Sequence, residues 1–257
     1  MSNNHEFEQD APWWKTFFDD SYARLGLEII ETERTRKEVD FIIDALKLQK
    51  QERVLDLACG MGRHALELAR RGFTGVTGLD VTGQYLQKAR EIKNKEDLNV
   101  RFLEGDMRSI PFEREFDACY NYFTSFGFFA EERDNLDVIA SVAGSLKPGG
   151  RFLIETINRD YMAKSFVKQG WFEKDGEFVL KKFDFDLATS TLFSTWIYLK
   201  GKHKIEREVR ILMYSLHEMV AMLERNGLEF LDAWGSSKKE PLTWEHQRLI
   251  VLAEKEK

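Results

Sequence analysis

The run from Val54 to Arg63, Val-Leu-Asp-Leu-Ala-Cys-Gly-Met-Gly-Arg, constrains the fold more than any other part of the chain. A short apolar segment ends there in an acidic residue and two glycines, and an amphipathic stretch follows. This order is typical of a buried strand, a tight turn and a helix. Because parallel strands need a crossover of this kind, the run predicts one βα unit of a parallel sheet.

The same alternation continues to residue 157. The predicted strands cover 54–57, 73–79, 100–103, 116–122 and 151–157. The predicted helices between them cover 63–71, 82–95 and 131–146. Such crossovers are right-handed and place helices on both faces of the sheet. We therefore predict an α/β fold with a doubly wound, mostly parallel sheet.

The pattern changes after Asn158. Alternating apolar and polar residues predict antiparallel strands over 178–185, 191–199 and 205–212. A predicted helix over 215–226 and predicted strands over 228–234 and 247–253 then lead back to the first sheet. We interpret residues 159–213 as an antiparallel β insertion that covers the substrate or joins two copies of the chain in a homodimer.

The first 50 residues are aromatic and then helical. Trp13 and Trp14 are interpreted as core or lid residues rather than as a cage for a cation. Tyr22 is predicted either to cover a bound ligand or to pack in the core. Thr35 and Glu38 have the spacing of a capping box, which predicts that a helix begins there.

Composition excludes several classes of protein. The chain has 44 acidic and 38 basic residues, which argues against broad binding to nucleic acid or to anionic membranes. The longest apolar stretches are far below the roughly 18 residues that span a bilayer. Residues 1–10 are polar, unlike a signal peptide. Cys59 and Cys119 cannot form a disulfide framework, and no metal-ligand spacing occurs. We predict a cytoplasmic protein without a metal.

Polar residues stand where consecutive predicted strands end. They are Asp56, Asp80, Asp106 and Asn121. In a doubly wound sheet, ligands bind at the carboxyl ends of the strands. An acid after the second strand can accept from both hydroxyls of a ribose, and one after the third can accept from an amino group. Gly60 and Gly62 allow the backbone to approach a ligand closely. These positions together predict a nucleotide-like ligand.

As an ordered set, four motifs resemble those of the class I S-adenosylmethionine-dependent methyltransferases. They are Asp56–Gly62, Leu79-Asp80, Gly105-Asp106-Met107 and Leu146–Gly150. The resemblance covers about residues 50 to 158. It implies a Rossmann-like sheet of seven strands with an antiparallel last strand. It also implies that S-adenosylmethionine is bound and converted to S-adenosylhomocysteine.

The resemblance also assigns cofactor contacts to residues of this chain. Asp56 would lie near the amino group of the cofactor, and Asn121 near its sulfonium. Gly60 and Gly62 would line the methionine portion, Asp80 the ribose, and Asp106 with Met107 the adenine. The complete predicted set of cofactor contacts is Tyr22, Asp56, Ala58, Gly60, Gly62, Asp80, Val81, Asp106, Met107 and Asn121. We therefore divide the chain into a lid segment 1–50, a cofactor-binding core 51–158, the insertion 159–213 and a C-terminal part 214–257.

The run Asn121–Phe129 resembles a subgroup that methylates small molecules, which also carries an aromatic N-terminal lid. The Asn/Asp-Pro-Pro-aromatic signature of nucleic-acid amino-methyltransferases is replaced by Asn-Tyr-Phe-Thr. The resemblance thus predicts a small-molecule acceptor that is methylated at nitrogen or oxygen by direct displacement. The leaving group departs neutral and needs no proton. A base matters only if the nucleophile arrives protonated, and no catalytic residue is assigned. His64 is interpreted as a helix residue near the cofactor rather than as a base.

Three alternatives remain open from the sequence. The insertion has 11 basic and 8 acidic residues, which keeps an RNA or protein methyltransferase in consideration. A protein that binds S-adenosylmethionine without turning it over fits the same motifs. A nicotinamide-dependent oxidoreductase matches Gly60–Ala65 as G-x-G-x-x-A. Against that reading, the spacer after Asp56 separates the glycines from the strand.

Overall fold

The computed structural model describes residues 12–27 and 30–257. Its larger sheet has seven strands. The first five are β1 (Arg53–Leu57), β2 (Gly75–Asp80), β3 (Val100–Glu104), β4 (Phe116–Asn121) and β5 (Leu146–Ile157). The last two strands of the chain, β10 (Leu228–Trp234) and β11 (Arg248–Lys255), complete this sheet. The prediction that residues 1–10 are unlike a signal peptide concerns residues outside the described part of the chain.

The strand order in this sheet is β3-β2-β1-β4-β5-β11-β10. The strands from β1 to β5 pair in parallel, and β11 is antiparallel to both β5 and β10. The order reverses between β1 and β4, which creates the crevice where doubly wound sheets bind ligands. The predicted seven-stranded sheet with an antiparallel strand is confirmed.

Helices cover both faces of this sheet, as predicted. On one face lie α3 (Thr32–Ala45), α4 (Arg63–Arg70) and α5 (Gly83–Lys95); on the other lie α6 (Glu132–Ser145) and α8 (Leu216–Glu224). Side chains of β1 alternate between the two cores, since Val54 packs with the first and Leu55 with the second. No helix in the described ranges is long and apolar enough to cross a membrane.

The insertion contains more elements than predicted. It contains α7 (Arg159–Lys164) and an antiparallel sheet of β6 (Gln169–Lys174), β7 (Glu177–Asp186), β8 (Thr191–Lys200) and β9 (His203–Leu212). Sequence analysis missed α7 and β6. Strand β6 lies at the edge of the sheet with most of its residues exposed, and Trp171 is 70% exposed. An edge strand without a buried face lacks the alternation by which strands are recognised.

Two predicted boundaries were wrong. Helix α3 begins at Thr32 after Glu31, so Thr35 and Glu38 are buried inside it and form no capping box. Strand β5 begins at Leu146, before the predicted 151, because Leu146 pairs with Phe116 ahead of an irregularity in the ladder. A capping box is formed instead by Ser215 and Glu218, at the start of α8.

Candidate active site

A cavity of about 980 Å³ lies at the carboxyl edge of the parallel strands. The insertion sheet and the short N-terminal helices α1 (Trp13–Phe17) and α2 (Asp20–Tyr22) form its other walls. Most of the predicted cofactor contacts line it: Tyr22, Asp56, Ala58, Gly60, Asp80, Val81, Asp106 and Met107. Gly62 and Asn121 lie outside this lining. The carboxyl edge of the parallel strands therefore brings together residues that are far apart in the sequence.

The turn after β1 is held by the carboxylate at the end of β2. Asp80 accepts a hydrogen bond from Gly60 N at 2.7 Å and another from Thr82 N at 2.8 Å. Ala58 and Gly60 have φ values of +57° and +55°, and this left-handed conformation is unusual for alanine. Apart from its chain neighbours, a Cβ on Gly60 would meet only Leu27 among the described residues within 4 Å, at 3.9 Å. The backbone at Gly60 is thus open towards the cavity.

Gly62 has a packing role in this structure. Its φ is +72°, and a Cβ there would lie 2.6 Å from the Phe102 ring and 3.2 Å from Ala89 Cβ. Only a residue without a side chain lets α4 begin this close to β3. Gly62 thus serves helix-to-sheet packing at the base of the site.

Asp56 is a buried carboxyl with an incomplete set of partners. It is 3% exposed, and its Oδ2 has no hydrogen-bond partner among the described residues. Burial raises the pKa of Asp56 to about 7, even though the Tyr120 hydroxyl and nearby Arg63 lower it. A carboxylate in this position favours a cationic ligand group, because such a group supplies both a hydrogen bond and a compensating charge.

We expect Asp56→Asn to stabilise the ligand-free protein at pH 8. The pKa of Asp56 is raised from 3.8 to about 7, so the wild-type protein loses stability as the pH rises between those values. Removing the charge should increase the free energy of unfolding by roughly 1 to 3 kcal/mol at pH 8. Denaturant unfolding should show little gain at pH 4.

The control for this experiment is Asp117→Asn. Burial works to raise the pKa of Asp117, but Lys147 and the Arg53 amide outweigh it and lower that pKa. Its substitution should therefore destabilise the protein near neutral pH. An Asp56→Asn gain of equal size at pH 4 and pH 8 would contradict the electrostatic explanation.

The acid at the end of β2 and the acid that follows β3 differ in the direction of their pKa shifts. Burial raises the pKa of Asp80. Burial acts on Asp106 in the same direction, but its 2.6 Å ion pair with Arg108 prevails and lowers the pKa. Arg108 also pairs with Asp134 at 3.1 Å. Asp106 therefore stays ionised at neutral pH, with its carboxylate already engaged at the cavity wall.

Asn121 lies beneath the glycine turn. It is 1% exposed, and its Nδ2 donates to Leu57 O at 3.0 Å. Its Oδ1 is buried without a partner among the described residues. The side chain ties the end of β4 to the end of β1.

Sequence analysis missed a buried ionic cluster centred on Glu38. Glu38 accepts hydrogen bonds from Arg34 at 2.9 Å, from His64 Nε2 at 2.9 Å and from Arg63. Burial works to raise the pKa of Glu38, but His64 and Arg63 outweigh it and hold the pKa at about 2. The sequence feature that indicates this cluster is Glu38 itself, an acidic residue at helical spacing with Thr35 and Ile42 on the buried face of α3.

His64 is neutral in this cluster. Burial lowers the pKa of His64 to about 4. The nearby Arg63 guanidinium lowers this pKa further, whereas the hydrogen bond to Glu38 opposes the shift. A neutral imidazole beside a carboxylate donates its proton, so Nε2 is occupied by Glu38. His64 lies in α4 and lines the cavity.

The loop after β4 has an unusual backbone. Phe123 and Thr124 have φ values of +76° and +60°. Glu155 accepts from Phe123 N at 3.3 Å and forms an ion pair with Arg248 at 3.1 Å, and Arg248 also donates to Thr124. Strained backbone of this kind persists only where its surroundings hold it, and it is common at functional sites.

The N-terminal aromatic residues close the cavity from above. Trp13 Nε1 donates to Phe128 O at 3.0 Å. The rings of Phe17 and Tyr22 lie 5.4 and 5.9 Å from the Trp196 ring of β8. Tyr22 both packs in this aromatic group and lines the cavity. Burial raises the pKa of Tyr22 to about 12, so its hydroxyl stays protonated at neutral pH.

Comparison with known proteins identifies the core. Residues 54–150 match the model of a methyltransferase domain family. A putative methyltransferase, YqeM, of Bacillus subtilis (strain 168) is 33% identical over 129 residues, which are 50% of this chain and 51% of that protein. A glycine/sarcosine N-methyltransferase of Aphanothece halophytica is 31% identical over 155 residues, 59% of this chain and 58% of that protein. The chain spans about half the length of the curated relatives it matches.

Solved structures show the same fold. The CcbJ methyltransferase from Streptomyces caelestis has a TM-score of 0.81 at 19% identity, over 93% of this chain and 98% of the other. Residues 54–150 thus match a methyltransferase domain family, and the chain has the fold of a solved methyltransferase, in agreement with the resemblance seen in the sequence motifs.

Proposed function

We propose that this chain is an S-adenosylmethionine-dependent methyltransferase that acts on a nitrogen or oxygen atom of a small molecule. The observation that carries this proposal is the walled cavity of about 980 Å³ at the strand ends. Pockets for small ligands have volumes of roughly 300 to 1,000 Å³. The volume thus suits a nucleoside cofactor together with a small acceptor.

The residues around the glycine turn fit the cofactor. The unpartnered Oδ2 of Asp56 suits an ammonium group, and the open backbone at Gly60 suits a close approach. Asp80 and Asp106 would hold the ribose and adenine portions. When bound, the cofactor supplies a methyl carbon that is activated by a sulfonium. The cofactor contacts predicted from the sequence, including Gly62 and Asn121, are part of this proposal.

The chain contributes mainly position and exclusion of water. Aligning two reactants removes much of the entropic barrier to a displacement. The strained loop after β4 and the aromatic N-terminal helices would orient the acceptor. Among the described residues that line the cavity, His64 is hydrogen-bonded to Glu38 and the Tyr22 hydroxyl is protonated at neutral pH, so we assign neither as a base. A neutral amine needs no base at the site, which favours nitrogen, and N-methylation is the named activity of the glycine/sarcosine relative.

Calorimetry and turnover test this function. We expect saturable binding of S-adenosylmethionine and of S-adenosylhomocysteine, and release of S-adenosylhomocysteine with one or more members of a panel of small amines and alcohols. Absence of cofactor binding would refute the proposal. Binding without turnover on the panel would favour the non-catalytic alternative, and salt-dependent retention on RNA would favour the RNA methyltransferase.

Two further predictions from the sequence stay predictions. One is a homodimer contact through residues 159–213, and the other is a cytoplasmic location. The division of the chain into lid, core, insertion and C-terminal part is likewise proposed as a functional division. In that division the insertion selects the acceptor.

A further inference from the structure

The insertion presents one face of its sheet to the cavity. Eight of its side chains line the cavity, and six of these are aliphatic or aromatic. The other two are Ser194 and Lys181. This wall is therefore apolar, with one hydroxyl and one cation. It carries no acid within the part of the chain that the structure describes.

Lys181 lies in the middle of β7, against an aromatic surface. Its Nζ is 3.5 Å from the centroid of the Trp196 ring and 5.2 Å from that of Phe172. No carboxylate of the described residues lies within 4.0 Å of Nζ. Burial lowers the pKa of Lys181 to about 8, and no acid opposes this effect. Aromatic faces stabilise a cation only in part. The ammonium therefore has no full counter-charge among the described residues.

The other cavity-lining lysine and arginine side chains in the described ranges all have acidic partners. These pairs are Arg63–Glu38, Arg70–Glu96, Lys88–Asp20 and Arg248–Glu155. Lys181 is the exception within that set. An unpaired cation on a partly buried apolar wall is unfavourable unless a ligand compensates it.

The acidic side chains that line the cavity and the lysine without an acidic partner among the described residues come from different parts of the chain. The acidic side chains that line the cavity come from the core: Asp56, Glu67, Asp80, Glu91 and Asp106. The cavity is therefore acidic around the proposed cofactor position and cationic on the insertion side. Lys181 would repel a purely cationic acceptor. It would attract an acceptor that carries an anionic group.

We infer that the methyl acceptor carries a carboxylate on an apolar or aromatic frame, and that Lys181 binds this carboxylate. The inference rests on the proposed function and specifies the acceptor of the same site. A single cation matches one carboxylate, whereas a phosphate dianion calls for several donors. The aliphatic and aromatic residues around Lys181 would hold the frame, and Lys181 would thus determine specificity.

Binding without turnover tests the inference. The probes are acetate, phenylacetate and indole-3-acetate, each compared with its carboxamide, on full-length protein saturated with S-adenosylhomocysteine. We expect one or more of the carboxylates to bind saturably and at least tenfold more tightly than its carboxamide. Lys181→Met should remove this preference, because a hydrogen bond to a charged group is lost.

Lys182→Met is the matched control, since Lys182 is the exposed neighbour of Lys181 on the same strand. It should leave the preference unchanged. Both variants should keep wild-type affinity for S-adenosylhomocysteine, which shows that the fold persists. If no carboxylate binds, if carboxamides bind equally well, or if Lys181→Met retains the preference, the inference is wrong. The comparison of each carboxylate with its carboxamide uses the wild-type protein and needs no variant. If the wild-type protein does not bind S-adenosylhomocysteine, the proposed function itself is refuted.

Discussion

Asp80→Ala is expected to weaken binding of S-adenosylhomocysteine by more than tenfold. Asp80 is 8% exposed, lines the cavity and accepts from the amides of Gly60 and Thr82. The substitution removes the proposed acceptor for the ribose hydroxyls and releases the glycine turn. A hydrogen bond to a charged group contributes about 1.5 to 3 kcal/mol, which corresponds to tenfold or more in affinity. Isothermal titration calorimetry measures the effect.

Asp137→Ala provides the control for Asp80. Asp137 is an exposed acid on α6 and does not line the cavity. Its substitution should leave the affinity within twofold of wild type, and circular dichroism should show that both variants are folded. Equal affinities of the wild-type protein and a folded Asp80→Ala variant would refute the ribose assignment.

Glu38→Ala is expected to lower the free energy of unfolding by about 3 kcal/mol at pH 7. The substitution leaves Arg63 and His64 without the carboxylate to which both are bonded. Removing one partner of a buried ion pair costs roughly 3 to 5 kcal/mol, because the remaining charge is uncompensated. Arg63 is partly exposed, so the lower end of that range applies. Chemical denaturation followed by fluorescence measures the loss.

The pH dependence separates charge from packing in this experiment. The pKa of Glu38 is lowered from 4.5 to about 2, so its stabilisation is complete above pH 4.5 and is lost as the pH falls towards 2. The difference between wild type and Glu38→Ala should shrink over that window. Glu33→Ala is the control on the same helix. Its pairs with Arg36 and Lys37 are exposed, so the expected change is a few tenths of a kcal/mol. A constant difference between pH 7 and pH 3 would contradict an electrostatic role for Glu38.

The two carboxyl groups Asp56 and Glu38 show how surroundings decide the state of a buried acid. Arg34, Arg63 and His64 contact Glu38, and its pKa is held at about 2. Asp56 Oδ2 has no hydrogen-bond partner among the described residues, and burial raises the pKa of Asp56 to about 7. The protein has therefore compensated one acid internally and left the other poorly compensated at the cavity. That asymmetry is consistent with a ligand cation at Asp56.

Much of the core was predictable because its signals are local. A strand, an acid and a glycine turn occupy consecutive positions from Val54 to Gly62, and the period of apolar residues separates strands from helices. Parallel pairing then places the ends of consecutive strands at one edge. Asp56, Asp80 and Asp106 reach the cavity for that reason.

The parts that escaped prediction depend on packing between distant segments. The close packing at Gly62 is one example, because a Cβ there would lie 2.6 Å from the Phe102 ring on β3, while its predicted cofactor contact stays a prediction. Glu38 was interpreted as part of a helix start, whereas Arg63 and His64 draw it into a buried cluster. Lys181 has no sequence signal at all, because an alternating strand does not show which of its faces covers a cavity.

The sequence by itself determined the doubly wound sheet, the antiparallel insertion and the acids at the strand ends, since hydrophobic period and turn residues are properties of neighbouring positions. Only the tertiary structure decided which groups share the cavity and in what charge state. Burial and non-local pairing set the pKa of Asp56, Glu38 and His64. Packing of the insertion over the strand ends places Lys181 there without an acidic partner among the described residues. These effects depend on distances in space, which the order of residues does not specify.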